Sequence, residues 1–396
     1  MRFKDLFFSR FSLFSINMII LLSYCYIDFL RPINYLINYV SYFLCFIFFF
    51  ILIIDRKFTK FSILMILFFI SGLGACLLNK DTNTVLYIEI YLKMTGYILY
   101  LEKSFKIDTV STIKILNIVL SILTLINFFT IILYPNGLYT TERYSTNWFF
   151  KYDNVHIFMY LPSLVFNFLN SKISTKKNSI ISVINFIIIT YCVFFSFSSN
   201  TIVAYSILII YMLFKKYINK INILNAKNYF VTYIALFFGF VIFRIQEIFE
   251  WFIVGVLKKK ITLTGRVHIW DVVMKYIKQK PLIGYGLETN DIITNKYGSV
   301  YFTHAHNTIL DVLYKGGIIY LISFILIIRC VVKKLYNFRQ DCISKYLSLI
   351  LFCCFIMMNF EARQDKIGLY IILVTSYSIS DILLAVNRKD KNNEQC

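Results

Sequence analysis

The sequence predicts an all-α integral membrane protein of about twelve transmembrane helices with one large polar loop on the outer side. Three observations predict it. Hydrophobic residues make up 59% of the 396 positions and mean hydropathy is +0.69, well above soluble usage. Apolar runs long enough to cross a hydrocarbon core of about 30 Å recur along the chain. Basic residues are alternately dense and sparse in the interruptions between those runs, as orientation in a membrane requires.

The runs fall at 11–30, 33–54, 61–78, 84–101, 114–134, 155–169, 180–197, 200–214, 229–245, 316–332, 345–359 and 367–385. The first is long enough to span and lacks a small-residue cleavage site, so it should stay as an anchor. The run at 84–101 carries Glu89 and Lys93, which can pair at i, i+4; with Asp28 these are the main charges inside the spans. Taking the N-terminus as cytoplasmic, the inner segments hold basic clusters such as Arg2, Lys4 and Arg10, then Arg56, Lys57 and Lys60, and later Arg329, Lys333, Lys334 and Arg339. The short outer segments hold few: Arg31, Lys80, Arg143, Lys151, Arg363 and Lys366. Both termini therefore belong in the cytoplasm, and 246–315 is an extracytoplasmic loop within a single membrane domain, 1–396. Topology accounts for the net charge of +20 without nucleic acid as a partner. None of the cysteines lies in 246–315, which argues against disulfides or a cysteine-based zinc site there.

The outer loop reads as structured. Val267, Trp270, Met274 and Ile277 recur at three- and four-residue steps, an amphipathic helix with Thr264 as N-cap and Pro281 beyond its end. Such a helix should lie on the membrane surface with Trp270 at headgroup level. Gly284-Tyr285-Gly286 permits a tight turn or a close backbone approach to a ligand. The segment 246–257 could form a second interfacial helix.

Titratable groups collect on this face. His268, His304 and His306 lie in the loop, and His156 starts the span at 155–169, also outside. His304-Ala305-His306-Asn307 precedes an apolar helix start at Thr308. A histidine there has its charged form disfavoured by the helix dipole and can act as a base near neutral pH. Two loop histidines bonded to backbone remain the plainer alternative. No Cys, Asp or Glu completes a metal-ligand set at familiar spacing, so no metal and no cofactor is expected. Arg143 and Arg266 suit forked recognition of phosphate, or else serve as headgroup anchors.

These pieces together resemble the Wzy-type polysaccharide polymerase and O-antigen ligase superfamily of bacterial membrane proteins. The matching residues are Thr264-Gly-Arg266 with Trp270, Pro281-Leu-Ile-Gly284-Tyr-Gly286, and His304-Ala-His306-Asn307 with Asp311 and Gly316-Gly317. Arg143 followed by Asn154 looks like the family's arginine and asparagine in the preceding outer loop. Asn200 stands where the family often has an arginine, a departure that puts any role for that position in doubt. The resemblance implies a GT-C-like membrane fold in the bacterial inner membrane. It implies inverting, metal-independent glycosyl transfer from a glycan on a polyprenyl diphosphate to another lipid-linked glycan. His306 would be the base, with His304 second; Arg143 and Arg266 would hold the diphosphate. Trp270, Gly284, Tyr285, Gly286, Asn307, Asn154 and His156 would contact substrate. Membrane lipid and a chain-length regulator are the implied partners. Polymerase is the first reading. A ligase with a different acceptor and a flippase of lipid-linked sugars are the alternatives; a flippase should keep its key charges within the spans.

Overall fold

The computed structural model describes residues 7–25, 31–55, 58–141, 144, 146–174, 177–195, 198–218, 221–245, 266–298 and 304–394. Among them the chain forms fifteen α-helices and no strand beyond isolated bridges such as Thr82 with Glu288 and Trp148 with Lys151. In order these are α1 (Arg10–Leu22), α2 (Arg31–Asp55), α3 (Lys60–Leu77), α4 (Thr84–Ile107), α5 (Thr109–Leu133), α6 (Asp153–Ile173), α7 (Lys177–Phe195) and α8 (Ser199–Ile218). There follow α9 (Ala226–Phe237), α10 (Arg266–Gln279), α11 (Asn290–Tyr297), α12 (Thr308–Asn337), α13 (Cys342–Phe360), α14 (Ile367–Tyr377) and α15 (Ile379–Glu394).

Local sequence explains where the helices begin. Ser9, Thr59, Asn83, Asp108, Asn225, Asn307 and Asp341 each accept a hydrogen bond from an amide in the first turn of the helix they precede. Each thereby satisfies one of the donors that a helix start leaves without an intrahelical partner. Gly317, at φ 64° and ψ −163°, breaks α12 after its first two turns.

All twelve apolar runs fall on helices, and the protein is a multi-pass all-α membrane protein. Among the described residues five helices are long and apolar enough by themselves to cross a membrane: α3, α5, α8, α13 and the Pro32–Ile51 part of α2. The pair α14 and α15, bent by 59° at its break, would add a sixth as one broken span. The remaining runs are short, as in α1 and α9, or are interrupted: α4 carries Glu89 and Lys93, α6 contains Pro162, and α12 is broken at Gly317. Such interruptions are tolerated where neighbouring helices satisfy the polar groups.

Packing sorts the helices into enclosed and peripheral ones. α13 and α14 are buried along most of their length. α2 instead exposes Tyr39, Phe43, Phe46 and Phe50, a surface suited to lipid because it needs no water. α12 lies along α3, where Phe68 and Tyr320 stack with ring centroids 4.3 Å apart.

The outer loop departs from expectation in two respects. The helix after Thr264 is present as α10 and ends before Pro281, but it does not present Trp270 to the headgroups. Ile269, Trp270 and Val273 face inward, Trp270 being 1% exposed, and α10 packs on α12. A short helix, α11, follows the glycine turn and ends at Gly298 in the left-handed region. The possible interfacial helix at 246–257 and the cap at Thr264 lie outside the described residues.

Candidate functional site

The site is built on the junction between α10, the start of α12 and the turn that joins α13 to α14. The His304–Asn307 turn is fixed from several sides. Trp270 Nε1 donates to the Ala305 carbonyl at 3.1 Å, and the Ala305 amide donates to Asp311 Oδ1 at 3.0 Å. Asp311 is itself held by Lys315 at 2.6 Å and by Gln364. Asn307 caps α12 with its side-chain oxygen, and its Nδ2 donates to the Asn359 carbonyl at 2.9 Å. Thr308 Oγ1 donates to the Glu361 carbonyl at 2.8 Å and accepts from the Arg363 amide at 3.1 Å. Residues 304–308 and 359–363 are therefore laced together, which brings Glu361 to the histidines.

The Glu361 carboxylate is the centre of the cluster. Oε1 accepts from Arg266 Nη2 at 2.8 Å, and Oε2 lies 3.2 Å from His306 Nδ1. His304 Nε2 and Arg363 Nη2 are each 3.9 Å from the same Oε2. The two imidazoles sit 4.0 Å apart, centroid to centroid, and the His306 amide donates to His304 Nδ1 at 3.2 Å. His306 adopts φ 46°, a left-handed conformation that non-glycine residues hold mainly where the surroundings over-determine it.

This geometry sets the protonation pattern. Burial, and then the neighbouring His306, push the His304 pKa down to about 3, so His304 is neutral at physiological pH. Burial disfavours the charged form of Glu361, but the hydrogen bond from His306 and the charge of Arg363 outweigh it, holding the carboxyl well below the usual range. An ionised carboxylate at Nδ1 selects the tautomer with the proton on Nδ1, leaving Nε2 as the basic nitrogen of His306. A carboxylate held against one imidazole nitrogen is an arrangement that a general base can use.

The residues singled out from sequence divide into two groups. Arg266, His304 and His306 meet at Glu361. Arg143 lies outside the described residues. Trp270 and Asn307 are buried clamps of the histidine turn and have no open face for a ligand. The close backbone approach at Gly284-Tyr285-Gly286 is to α12: Tyr285 N and Gly286 N donate to the Tyr314 and Lys315 carbonyls at 2.9 and 2.7 Å. A Cβ on Gly284, at φ 71°, would stand 2.6 Å from the Tyr314 carbonyl oxygen. Asn154 accepts from Ser198 Oγ, tying the start of α6 to the start of α8. His156 does not join the other histidines. It is fully buried among Trp148, Phe150 and Tyr160, with Nε2 2.9 Å from the Lys151 carbonyl oxygen. His268 is exposed on α10.

Glu361 and Arg363 are the members that sequence reasoning missed. They lie in a six-residue turn, 361–366, between two apolar helices, where Arg363 reads as an orientation charge. The Arg363 guanidinium is buried and lies over the Phe158 ring, 5.3 Å from its centroid; nearby, Tyr152 stacks on Tyr144 at 3.9 Å. Glu361 also supplies the carboxylate that the expectation of no metal had found lacking. Ligand atoms of His304, His306 and Glu361 lie within 4.8 Å of one another, close enough to share a divalent ion. The carboxylate oxygen that faces both imidazoles is Oε2, while Arg266 holds Oε1.

Residues 184–325 match the family model Wzy_C, described as O-Antigen ligase. Comparison with curated proteins finds no match. The matched segment runs from α7 to the middle of α12. It contains Arg266, the glycine turn and both histidines, while Glu361, Arg363 and Tyr152 follow or precede it. Over residues 184–325 the chain is therefore similar to the O-antigen ligase family.

Proposed function

We propose that the protein is a polymerase. It joins polyprenyl-diphosphate-linked oligosaccharide repeat units into a surface polysaccharide, by inverting, metal-independent transfer at the outer face of a bacterial inner membrane. The observation that carries this reading is the His306–Glu361 pair at 3.2 Å with Arg266 on the opposite carboxylate oxygen. The acceptor sugar hydroxyl gives its proton to His306 Nε2 as its oxygen attacks the anomeric carbon. The carbon–oxygen bond to the diphosphate breaks, and the electron pair leaves with the lipid diphosphate. Glu361 stabilises the imidazolium that forms. Arg266, Arg363 and Arg143 supply fixed positive charge where the leaving group's negative charge grows.

The test is transfer by the purified chain between two lipid-linked repeat units, with and without chelator. Polymer that survives chelator supports the reading. Transfer only to an acceptor of another kind makes the protein a ligase, the reading that the family description also allows. Loss of transfer restored by Zn²⁺, Mg²⁺ or Mn²⁺ would make His304, His306 and Glu361 metal ligands. The orientation has its own test: a cysteine placed at Asn295 should react with an impermeant thiol reagent in spheroplasts.

A further inference from the structure

Next to the histidine cluster lies a cavity of about 300 Å³ enclosed by α1, α2, α4, the start of α6 and the turn before α14. Three lysines line it: Lys93, Lys151 and Lys366. Among the described residues its one acidic lining residue is Asp365, already paired with Lys366 at 2.7 Å. Lys93 is 5% exposed, donates to Asn38 Oδ1 at 3.1 Å, and lies 4.4 Å over the Tyr24 ring. Lys93 is buried, while Lys151 and Lys366 are half-buried, so three lysines face one carboxylate among the described lining residues and the cavity favours an anion.

Two further features point the same way. Lys366 and Tyr152 are the N-caps of α14 and α6, and neither caps its helix with its own side chain; in α6 the Asn154 amide donates to Asp153 Oδ1 at 2.7 Å, whereas α14 has no such bond. Tyr152, Lys366, and the first two residues of α14, Ile367 and Gly368, line the cavity. Helix N-termini attract anions through their amides and dipole. Lys151 adopts φ 71°, a left-handed conformation rare for lysine. Two backbone hydrogen bonds with Trp148 and the contact of His156 with its carbonyl hold it there. The buried His156 thus has a role: it fixes the loop that directs Lys151 to the cavity.

We propose that this cavity binds the diphosphate of the second lipid-linked glycan, beside the diphosphate that leaves at Arg266. The proposal rests on the polymerase reading, because joining two lipid-linked units brings two diphosphates to one site. The turn between α13 and α14 joins the two regions, since Glu361 and Arg363 lie at the histidines while Asp365 and Lys366 line the cavity.

The test is binding of inorganic pyrophosphate and of a short-chain prenyl diphosphate to the full-length protein in detergent, by calorimetry. Two sites are expected in the native chain. Lys151→Asn, which keeps a residue tolerant of the left-handed backbone, and Lys366→Gln should each weaken one site at least tenfold and leave the other unchanged. Arg266→Gln should do the converse, and His306→Ala should leave both. A single site insensitive to Lys151→Asn and Lys366→Gln overturns the proposal. So does a cavity that takes glucuronate while pyrophosphate fails to compete. Transfer assays judge the polymerase reading separately: two diphosphate sites in a protein that never extends a lipid-linked acceptor would refute that reading and leave the anion site standing.

Discussion

Glu361 Oε2 and His306 Nδ1 stand 3.2 Å apart although 55 residues separate them in the chain. The turn between α13 and α14 supplies the acid and the turn before α12 supplies the imidazole. Thr308, bonded both to the Glu361 carbonyl and to the Arg363 amide, fixes their separation. The pair explains how a histidine at a membrane surface is kept in one tautomer and orientation.

Glu361→Gln should leave the protein inserted and folded, since the amide keeps hydrogen-bonding capacity. It removes the charge that stabilises the imidazolium and the anchor of Arg266. Turnover should fall at least about tenfold, in line with the 10² to 10⁴ typical of general-base machinery. Full activity in the variant would make Glu361 a packing residue.

Arg266→Lys replaces a fork by a point charge. Lysine cannot hold Glu361 and a phosphate oxygen with the same planar geometry. Turnover should drop at least about tenfold, equivalent to about 1.4 kcal/mol of transition-state stabilisation. Single-turnover kinetics on lipid-linked substrate would measure it, and the same loss is expected for Arg143→Lys.

Acid should act on stability through His304. Its ordinary pKa is about 6.5 and its folded value is about 3, so the unfolded chain takes up the proton first. The contribution is complete above about pH 6.5 and declines as pH falls towards 3. Thermal unfolding in detergent should show this decline, and His304→Asn should flatten it. A native protein whose stability is level across that window would contradict the assignment of a neutral, half-buried His304.

Gly284→Ala should destabilise the protein severely. Its φ of 71° strains any other residue, and the added Cβ would meet the Tyr314 carbonyl oxygen at 2.6 Å. A strained backbone alone costs on the order of 1–3 kcal/mol. Expression and unfolding temperature should both fall. A variant that is stable but no longer binds substrate would return this turn to the role expected from sequence.

Much of the fold was legible because its signals are local. Within the described residues the twelve apolar runs lie on helices, the helix start expected at Thr308 is where α12 begins, and α10 ended before Pro281 as read. What failed depended on which neighbour a face meets. Trp270 on an amphipathic helix at a membrane surface can face headgroups or protein, and only the packing of α10 on α12 decides. The glycine turn announced a close approach without saying to what. Arg266, His304 and His306 were identifiable by type and clustering. Glu361 and Arg363 were not, because a carboxylate and an arginine in a short turn look like ordinary membrane-edge charges until the fold places them beside the histidines.

The most direct measurement concerns His306. In cells lacking the native copy, His306→Ala should be folded and inserted but should leave single repeat units on their lipid carrier, while His304→Ala should retain partial extension. Normal polymer from His306→Ala would show that His306 is not the base. A dead His304→Ala beside an active His306→Ala would exchange the two roles.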